Sequence, residues 1–540
     1  FAPMKYGLLL LLFLAACSQK KQGPNKFSDA KLINIYELQD RRDTKTLLPF
    51  LKAKKENHRI AAAMAFASIQ DTIAIPYLNQ MLQIDQDPMP RRAAAYALGQ
   101  IASTKALGIL TAAFDQELFP ANRPYVMEAI GKCGDSSTIA LFEGVEYTDS
   151  ALQMGWAYGV FRLGLKGFRS QPLNIRMMHF LNDDNKDLAI LASHYVYRNL
   201  RESSTSELVD SLARTAKYDE VKERFGLLRE QVKIEGLKWS QFNDLNNYQK
   251  IELIKHKESW SWDESQQLKG LINDTTVNIG VRCSAFTKTF PKSHPDSQES
   301  YMKYALTSGD MALQSLAAIE LQKLSKNPDY WHNDQFSSIS TLNLQPLLQK
   351  IKSQLKLPQQ AETYIDICKA IEALGGEKFL GYQPAYNHPI DWEFVKTIPK
   401  DQQVLLTTNK GDITLQLFVE DAPGTVVNFL HLIDSGFYDG KYFHRVVPQF
   451  VIQGGCPRGD GWGSQEWSQR SEFSNYQRYE TGTVGIASAG KDTEGVQFFI
   501  SHCPTPHLDG RYTIFARVIS GMDVVNKIEV GDKMVKVKRL

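Results

Sequence analysis

The chain has 540 residues, of which 43% are hydrophobic and 23% are charged, and its formal net charge is +2. This length allows several domains, or a repeat array joined to a domain, and the composition is typical of a globular protein. The small net charge lacks the electrostatic footprint of a nucleic-acid-binding protein. The lysines at residues 533–539 alternate with apolar residues, which is typical of an exposed edge strand. We therefore expect no nucleic-acid partner.

The first residues have the pattern of a secretion signal. The apolar run at residues 7–13 is too short to span a bilayer as a helix, but it fits the core of a signal peptide. The small residues before Cys17 resemble the cleavage site of bacterial lipoproteins. This resemblance implies a signal peptide at residues 1–16, a lipid on Cys17, a polar tether at 17–29 and hence a membrane partner in the bacterial envelope. Ser18, which is not acidic, favours the outer membrane, facing the periplasm; an ordinary secretory signal is the alternative.

An internal repeat follows in residues 30–376. The segments AFASI, ALGQI and AIGKC begin at positions 65, 97 and 129, so they recur every 32 residues, and a second apolar helix is predicted after each. One helix pair is too small to bury its own apolar face, so such pairs stack into a solenoid. The small residues at the expected helix contacts resemble HEAT repeats. The sequence predicts an α-α solenoid that serves as a scaffold or binds a protein partner.

The pattern changes to strands after a proline-rich linker predicted at residues 377–403. The strands predicted in residues 404–540 are 404–408, 413–418, 442–447, 450–453, 483–488, 497–502, 513–518 and 533–538. One helix is predicted to begin at Pro423 with Asp421 as its cap, and a second to span residues 522–528. Short strands with two helices predict a closed antiparallel β-barrel.

The segment FHRVVPQFVIQGG, at residues 443–455, contains two polar side chains among apolar neighbours. Residues two apart in a strand share a face, so Arg445 is predicted to align with Phe443 and Val447. Gln453 lies in the strand that follows. Two interpretations are open from spacing alone. These side chains either line a groove that binds and polarises an apolar ligand, or they lie on the solvated face of an antiparallel sheet.

Six motifs along residues 404–540 resemble the cyclophilin family of peptidyl-prolyl cis-trans isomerases. They are NKGDITLQLF, APGTVVNFL, YFHRVVPQFVIQGG, GTVGIASAG, GVQFFIS and HLDGRYTIFARV, in the family's order. The resemblance implies an isomerase that acts on Xaa-Pro bonds of client polypeptides without a cofactor or metal. It implies that Arg445 is the catalytic residue and Gln453 its polar companion. The other implied substrate contacts are Phe450, Val451, Phe499 and Leu508 around the proline, Ala487, Ser488 and Gln497 along the backbone, and His507 and Tyr512 at the rim.

The sequence departs from the family at four of these positions. His507 stands where many members have Trp, Val451 where Met is commoner, Ser488 where Asn is usual, and Tyr512 where His is usual. None of these changes removes Arg445, so we expect activity. Two other functions stay open: a chaperone or scaffold whose cyclophilin domain binds proline segments with little turnover, and a solenoid that has the main role.

Overall fold

The structure is a computed structural model that describes residues 24–147, 149–199, 211, 214–226, 238–257, 259–290, 295–326, 344–474 and 476–540. The predicted signal peptide, the proposed lipid attachment residue Cys17 and most of the predicted tether lie outside these residues. Within the described residues, no helix is both long enough and apolar enough to cross a membrane.

The helical array consists of two blocks. The helices of the first block are α1 (Ala30–Arg41), α2 (Thr44–Leu47), α3 (Glu56–Ile69), α4 (Ile75–Ile84), α5 (Pro88–Ile101), α6 (Leu107–Gln116), α7 (Arg123–Cys133), α8 (Ile139–Gly144), α9 (Ser150–Leu165), α10 (Gln171–His179), α11 (Lys186–Asn199) and α12 (Asp219–Gly226). Those of the second block are α13 (Asn247–His256), α14 (Trp262–Asn273), α15 (Ile279–Thr289), α16 (Pro295–Thr307), α17 (Met311–Lys326), α18 (Gln345–Gln354) and α19 (Ala361–Ala373). The predicted helical repeats are confirmed, and the two blocks have separate hydrophobic cores.

Small residues allow the helices of the first block to pack closely. A Cβ atom on Gly131 of α7 would overlap the backbone of Gly159 in α9. A Cβ atom on Gly99 of α5 would lie only 3.0 Å from Ala129 of α7. Because neighbouring helices interlock through their side chains, small residues at these contacts decide how closely the helices approach. The 32-residue recurrence of Ala and Gly therefore has a direct packing cause.

The β-domain (residues 403–540) contains one curled antiparallel sheet. Its strands are β1 (Gln403–Thr408), β2 (Gly411–Leu417), β3 (Phe443–Val447), β4 (Val451–Gly454), β5 (Thr483–Ile486), β6 (Phe498–Ser501), β7 (Ile514–Ser520) and β8 (Met534–Arg539). Their order across the sheet is β3-β4-β6-β5-β7-β2-β1-β8. Each strand lies within two residues of its predicted bounds, because short β-rich runs between turn residues mark strands clearly.

The predicted closed barrel is wrong, because the two end strands of the sheet do not pair along their length. Among the described residues, the backbone hydrogen bonds between the segments of β3 and β8 join only residues 440–443 to residues 531–534, around an isolated bridge between Tyr442 and Lys533. Further along β8, the Asp439 carboxylate accepts a hydrogen bond of 2.9 Å from the Val537 N–H. A side chain thus occupies a position on the β8 edge that a closed barrel needs for backbone pairing. The sheet is an open half-barrel.

This half of the chain also contains helices α20 (Trp392–Thr397), α21 (Pro423–Asp434) and α22 (Met522–Val525), and a 3-10 helix at Pro506–Leu508. Helix α21 begins at the predicted proline, but the prediction that Asp421 caps it is wrong. The buried Glu472 carboxylate instead accepts hydrogen bonds from the N–H groups of Gly424 (3.0 Å) and Thr425 (2.8 Å). A carboxylate stabilises a helix N-terminus from any place in the sequence, so the local pattern could not identify this cap.

The end of the predicted tether packs on the predicted linker. The Asn25 side chain donates hydrogen bonds of 2.7 Å to two carbonyl oxygens at the end of α20. The Phe27 ring is fully buried and lies 5.3 Å from the ring of Trp392. Residues 24–29 are therefore part of the folded protein, although the tether was predicted to extend to residue 29.

The first block of the array lies against the β-domain along a row of its helices. The polar contacts between them are Arg42 with Asp492, Tyr96 with Ser474, Gln100 with Gly510, Arg162 with Asp509, His194 with Pro504, and Arg224 with Cys503. The second block contacts the β-domain at Tyr248 and at Asp310. One face of the array is thus occupied by the chain's own β-domain.

Candidate active site

Strands β3 and β4 place Arg445 opposite Gln453. The two residues are paired across the antiparallel strands, and a register shift lies between Phe443 and Arg445. Phe443 is fully buried, whereas Arg445 is exposed. The prediction that these two side chains share a face is wrong, because a bulge redirects the side chains of the strand that contains it. The guanidinium therefore lies at the surface of the sheet and is accessible to a ligand.

A chain of side-chain hydrogen bonds holds the two residues in place. An Arg445 guanidinium N–H donates to Gln453 Oε1 over 3.4 Å, and Gln453 Nε2 donates to Gln497 Oε1 over 3.2 Å. Gln497 Nε2 in turn donates to the Gly461 carbonyl oxygen over 2.9 Å. Each amide thereby fixes the orientation of the next, so the sheet and the loop at Gly461 together orient Arg445.

An apolar cluster lies beside Arg445, and we call its surface the apolar pocket. The apolar pocket is formed by the buried side chains of Val451, Tyr479, Phe499, Leu508 and Ile514, with Phe450, Ala487 and Tyr512 packed against them. The guanidinium carbon of Arg445 lies 5.5 Å from the centroid of the Phe450 ring. A cation over an aromatic ring at this distance is attracted to it. The site thus combines one fixed positive charge with an apolar surface, which is the arrangement of a small-ligand pocket.

Ala487 and Ser488 follow β5 at the edge of the apolar pocket. The Ala487 N–H donates to the Gln497 carbonyl oxygen over 2.8 Å. The buried Oγ of Ser488 has no hydrogen-bond partner in the part of the chain that the structure describes. Buried hydroxyl groups normally have such a partner. A bound ligand is therefore able to supply one here.

His507 covers one side of the apolar pocket. Its ring is stacked on Phe450, with 5.3 Å between centroids, and only 8% of the residue is exposed. Burial, with the charges of Arg198 and Arg224 adding to it, lowers the pKa of His507 to about 2. The imidazole is therefore neutral across the physiological pH range. His507 acts as an aromatic wall and not as a charged group or a proton donor near neutral pH.

The helical array supports this wall from behind. The ring of His194, in α11, lies 5.7 Å from the ring of His507. His194 Nε2 is 2.7 Å from the carbonyl oxygen of Pro504 and donates to it. Burial lowers the pKa of His194 well below its ordinary value, and the charge of Arg224 adds to this effect. A neutral His194 thus holds the segment that leads to His507.

Sequence reasoning placed Arg445 and its predicted neighbours in one region but missed Tyr479 and His194. Tyr479 is stacked on Phe499 with 5.5 Å between centroids, and it lies in an irregular segment without helical or strand periodicity. His194 is 310 residues away in sequence from the carbonyl it binds. The helical pattern predicts a buried face around His194, but no local signal identifies the domain that covers it.

Comparison with known protein families supports the same division of the chain. Residues 403–539 match the family model for "Cyclophilin type peptidyl-prolyl cis-trans isomerase/CLD", and residues 44–130 match the model for HEAT repeats.

Known proteins of similar sequence cover the β-domain. Peptidyl-prolyl cis-trans isomerase B of Bacillus subtilis is 48% identical over 134 residues, which are 25% of this chain and 94% of that protein. A peptidyl-prolyl cis-trans isomerase of Helicobacter pylori is 44% identical over 138 residues, or 25% of this chain and 85% of that protein. A crystal structure of a Cryptosporidium parvum cyclophilin type peptidyl-prolyl cis-trans isomerase is 31% identical and covers 26% of this chain and 97% of its own, with a TM-score of 0.25.

Proposed function

Because the chain belongs to the cyclophilin-type peptidyl-prolyl cis-trans isomerases and carries HEAT repeats, we propose that it isomerises Xaa-Pro bonds in polypeptide clients, with Arg445 as the catalytic donor. Peptidyl-prolyl isomerase activity follows from the membership; the clients and the role of Arg445 are the proposal. The observation that carries it is the position of the Arg445 guanidinium, exposed at the edge of the apolar pocket and 5.5 Å from the Phe450 ring.

The physical task of the enzyme is to lower a rotational barrier. Amide resonance makes this barrier about 18–20 kcal/mol. As the bond twists and resonance is lost, the lone pair of the prolyl nitrogen becomes localised and accepts a hydrogen bond. The Arg445 guanidinium stabilises this twisted state more than either planar state, which is the requirement for catalysis. An arginine suits this role because its charge is permanent and its donors are rigidly arranged.

Catalysis also requires that one side of the rotating bond be held still, and the apolar pocket provides this. It holds the proline ring against Phe499 and Leu508 while the carbonyl group before the proline rotates. No covalent bond forms and no proton is transferred, which agrees with the neutral state of His507. An acceleration of about 10⁵ needs only about 7 kcal/mol, and oriented electrostatic groups in a protein site can provide this.

Refolding of a protein whose slow step is a Xaa-Pro isomerisation tests the proposed function. Without catalyst such a step takes tens to hundreds of seconds. We expect the full chain, at a small fraction of the client concentration, to accelerate this phase in stopped-flow fluorescence. A client whose refolding is not limited by proline serves as the control and should not respond. A slow phase that keeps its uncatalysed rate, while the client binds, would favour the alternative function of a chaperone or scaffold with little turnover.

We further propose that the helical array completes the site. A row of ring contacts supports this role: His194 lies 5.7 Å from His507, His507 lies 5.3 Å from Phe450, and Phe450 lies 5.5 Å from the Arg445 guanidinium. The array thus positions the aromatic wall of the apolar pocket without contacting the substrate.

Replacing His194 by alanine is expected to lower kcat/KM for a Xaa-Pro peptide about threefold to tenfold, mainly by raising KM. The physical reason is the loss of one hydrogen bond and one ring contact, worth roughly 0.5–1.5 kcal/mol. Steady-state assays of the full chain measure this effect. His194→Gln, which retains a donor for the Pro504 carbonyl, should recover part of the loss.

His58→Ala is the matched control, because His58 is also a buried histidine of the array. Its Nε2 atom is hydrogen-bonded to the Asp29 carboxylate over 2.9 Å, away from the apolar pocket. We expect its kcat/KM to equal that of the wild type. Equal losses in both variants would mean that the array affects activity only through overall stability, and would contradict the positioning role of His194.

We also propose a location in the bacterial cell envelope with a lipid on Cys17. The support is the sequence alone: an apolar run, small residues, a cysteine and a polar segment. The clients would then be envelope proteins that fold in the periplasm.

A further inference from the structure

A cavity lies between the β-domain and the second block of the array. This side cleft has a volume of about 510 Å³. Tyr248 and Lys255 of α13 and Lys288 of α15 line it on one side, and His444 and Arg458 of the β-domain line it on the other. His444 is adjacent in the chain to Arg445, so the side cleft begins one residue from the proposed catalytic donor.

The loop at residues 456–463 separates the side cleft from the apolar pocket. On the pocket side, Gln497 Nε2 donates to the carbonyl oxygens of Gly461 (2.9 Å) and Gly463 (3.2 Å). On the cleft side, the Tyr248 hydroxyl donates to the Gly459 carbonyl oxygen over 2.9 Å. Three to five residues of extended chain span at most about 10–18 Å, which is enough to pass a single loop. A client segment that begins at the proline is therefore able to reach the side cleft.

Two features determine what the side cleft can bind. Both ring nitrogens of His444 are buried and lack a hydrogen-bond partner among the described residues. Cations also outnumber carboxylates in the lining, where Asp460 is the acidic residue. Arg458 is paired with Asp310 (3.1 Å) and with Asp460 (2.9 Å). Lys255 is exposed and lies 3.1 Å from Glu252, which does not line the side cleft. An exposed ion pair of this kind is weak, so the Lys255 ammonium group can exchange Glu252 for a carboxylate bound in the side cleft.

We propose that the side cleft binds an acidic side chain of the client, about three to five residues from the proline, and thereby selects among Xaa-Pro sites. A carboxylate can accept a hydrogen bond from the His444 ring, which lacks a partner, and can also form an ion pair with the Lys255 ammonium group. This inference rests on the proposed function and names the class of client sequence on which the enzyme acts. It assigns the second block of the array a direct part in substrate recognition.

The protonation state of His444 provides an independent readout. Burial, with the charges of Arg445 and Lys255 adding to it, lowers the pKa of His444 to about 4. The ring is thus neutral in the empty side cleft near neutral pH. A carboxylate bound beside it would favour the protonated form and raise this pKa.

Three peptides with the same Ala-Pro centre test the proposal on the full chain. They carry Asp and Glu, Asn and Gln, or Lys at positions three to five residues from the proline, on either side. We expect KM for the acidic peptide to be about threefold to fivefold lower than KM for the neutral peptide, as for a surface ion pair. The basic peptide should have the highest KM, and kcat should be similar for all three.

Lys255→Glu should abolish or reverse this preference. Lys303→Glu is the matched control, because Lys303 is also an exposed lysine of the second block with a nearby acidic partner, Glu299 at 2.6 Å, but it does not line the side cleft. We expect Lys303→Glu to retain the wild-type preference. In the wild type, titration followed by NMR of the His444 ring should show a higher pKa with the acidic peptide than with the neutral one.

Two results would overturn the proposal: equal KM values for the three peptides in the wild type, or a preference for acidic residues that persists in Lys255→Glu. The test also separates this inference from the proposed function. If none of the peptides is isomerised, the proposed function fails. Direct binding, measured by fluorescence anisotropy of labelled peptides, would still decide whether the acidic peptide binds more tightly than the neutral one and whether Lys255→Glu removes the difference.

Discussion

Replacing Arg445 by alanine is expected to lower kcat/KM for a Xaa-Pro peptide by about 100-fold to 1,000-fold. This is the usual loss when one preorganised donor to a transition state is removed. Arg445 is exposed, and within the described part of the chain its side chain makes one hydrogen bond, of 3.4 Å, to Gln453. Its removal should therefore change the free energy of unfolding by no more than about 0.5 kcal/mol. Steady-state kinetics and urea unfolding of the same preparations separate the two effects.

Two further variants make this prediction specific. Arg445→Lys retains the positive charge but loses the rigid arrangement of donors, so we expect activity between those of the wild type and of Arg445→Ala. Arg517→Ala is the matched control, since Arg517 is an exposed arginine of the same sheet and also lies near an aromatic ring, 5.9 Å from the centroid of Phe418. Its kcat/KM should be unchanged. An Arg445→Ala variant with at least half of the wild-type kcat/KM would contradict the proposed role.

Replacing Glu128 by alanine is expected to lower the free energy of unfolding by about 3–5 kcal/mol. Glu128, in α7, accepts hydrogen bonds from Arg162 (2.8 Å) and from Arg478 (2.7 Å). Arg162 and Arg478 also contact Asp509, at 3.4 Å and 3.2 Å. The side chains of Glu128 and Arg162 are only 6% and 5% exposed. Without Glu128, two guanidinium groups would share the remaining carboxylate in a region with little access to water.

The pH dependence of stability provides a second measurement of this network. Burial alone would raise the pKa of Glu128, but the charges of Arg478, Lys132 and Arg162 outweigh it and hold the pKa well below its ordinary value. A carboxyl group with a lowered folded-state pKa stabilises the protein at higher pH, and this contribution is lost as the pH falls through the folded-state pKa. The wild type should therefore lose more stability than Glu128→Ala when the pH falls from 7 to 3.

Glu143→Ala is the matched control for the unfolding experiments, because Glu143 is an exposed glutamate of the same block. We expect it to change the free energy of unfolding by no more than about 0.5 kcal/mol. If Glu128→Ala unfolds at the same urea concentration as Glu143→Ala, the network does not stabilise the contact between the array and the β-domain.

The sequence predicted most of the elements but not how they are arranged. The strands of the β-domain and the paired helices of the array follow from alternation, turn residues and a 32-residue repeat, all of which are local signals. The open edge of the half-barrel depends on a contact of Asp439 with β8, and the cap of α21 depends on Glu472 from a distant loop. Such long-range contacts leave no periodic pattern in the chain.

The candidate site shows the same division between local and long-range information. The motif around Arg445 located the donor, Gln453 and the apolar residues, because these lie in two adjacent strands. The bulge that separates Phe443 from Arg445 was missed, since one extra residue in a strand does not change its composition. His194 and the side cleft exist only because the array folds against the β-domain, so only the structure could identify them.

Exchange NMR on a short Xaa-Pro peptide, with catalytic amounts of the full chain, tests directly whether Arg445 is the catalytic donor. Exchange cross-peaks report turnover, and changes in chemical shift report binding, so a single sample separates the two. We expect rapid exchange between the cis and trans signals with the wild type, and binding without exchange with Arg445→Ala. Binding without exchange in the wild type, or equal exchange rates in the two proteins, would contradict this role of Arg445.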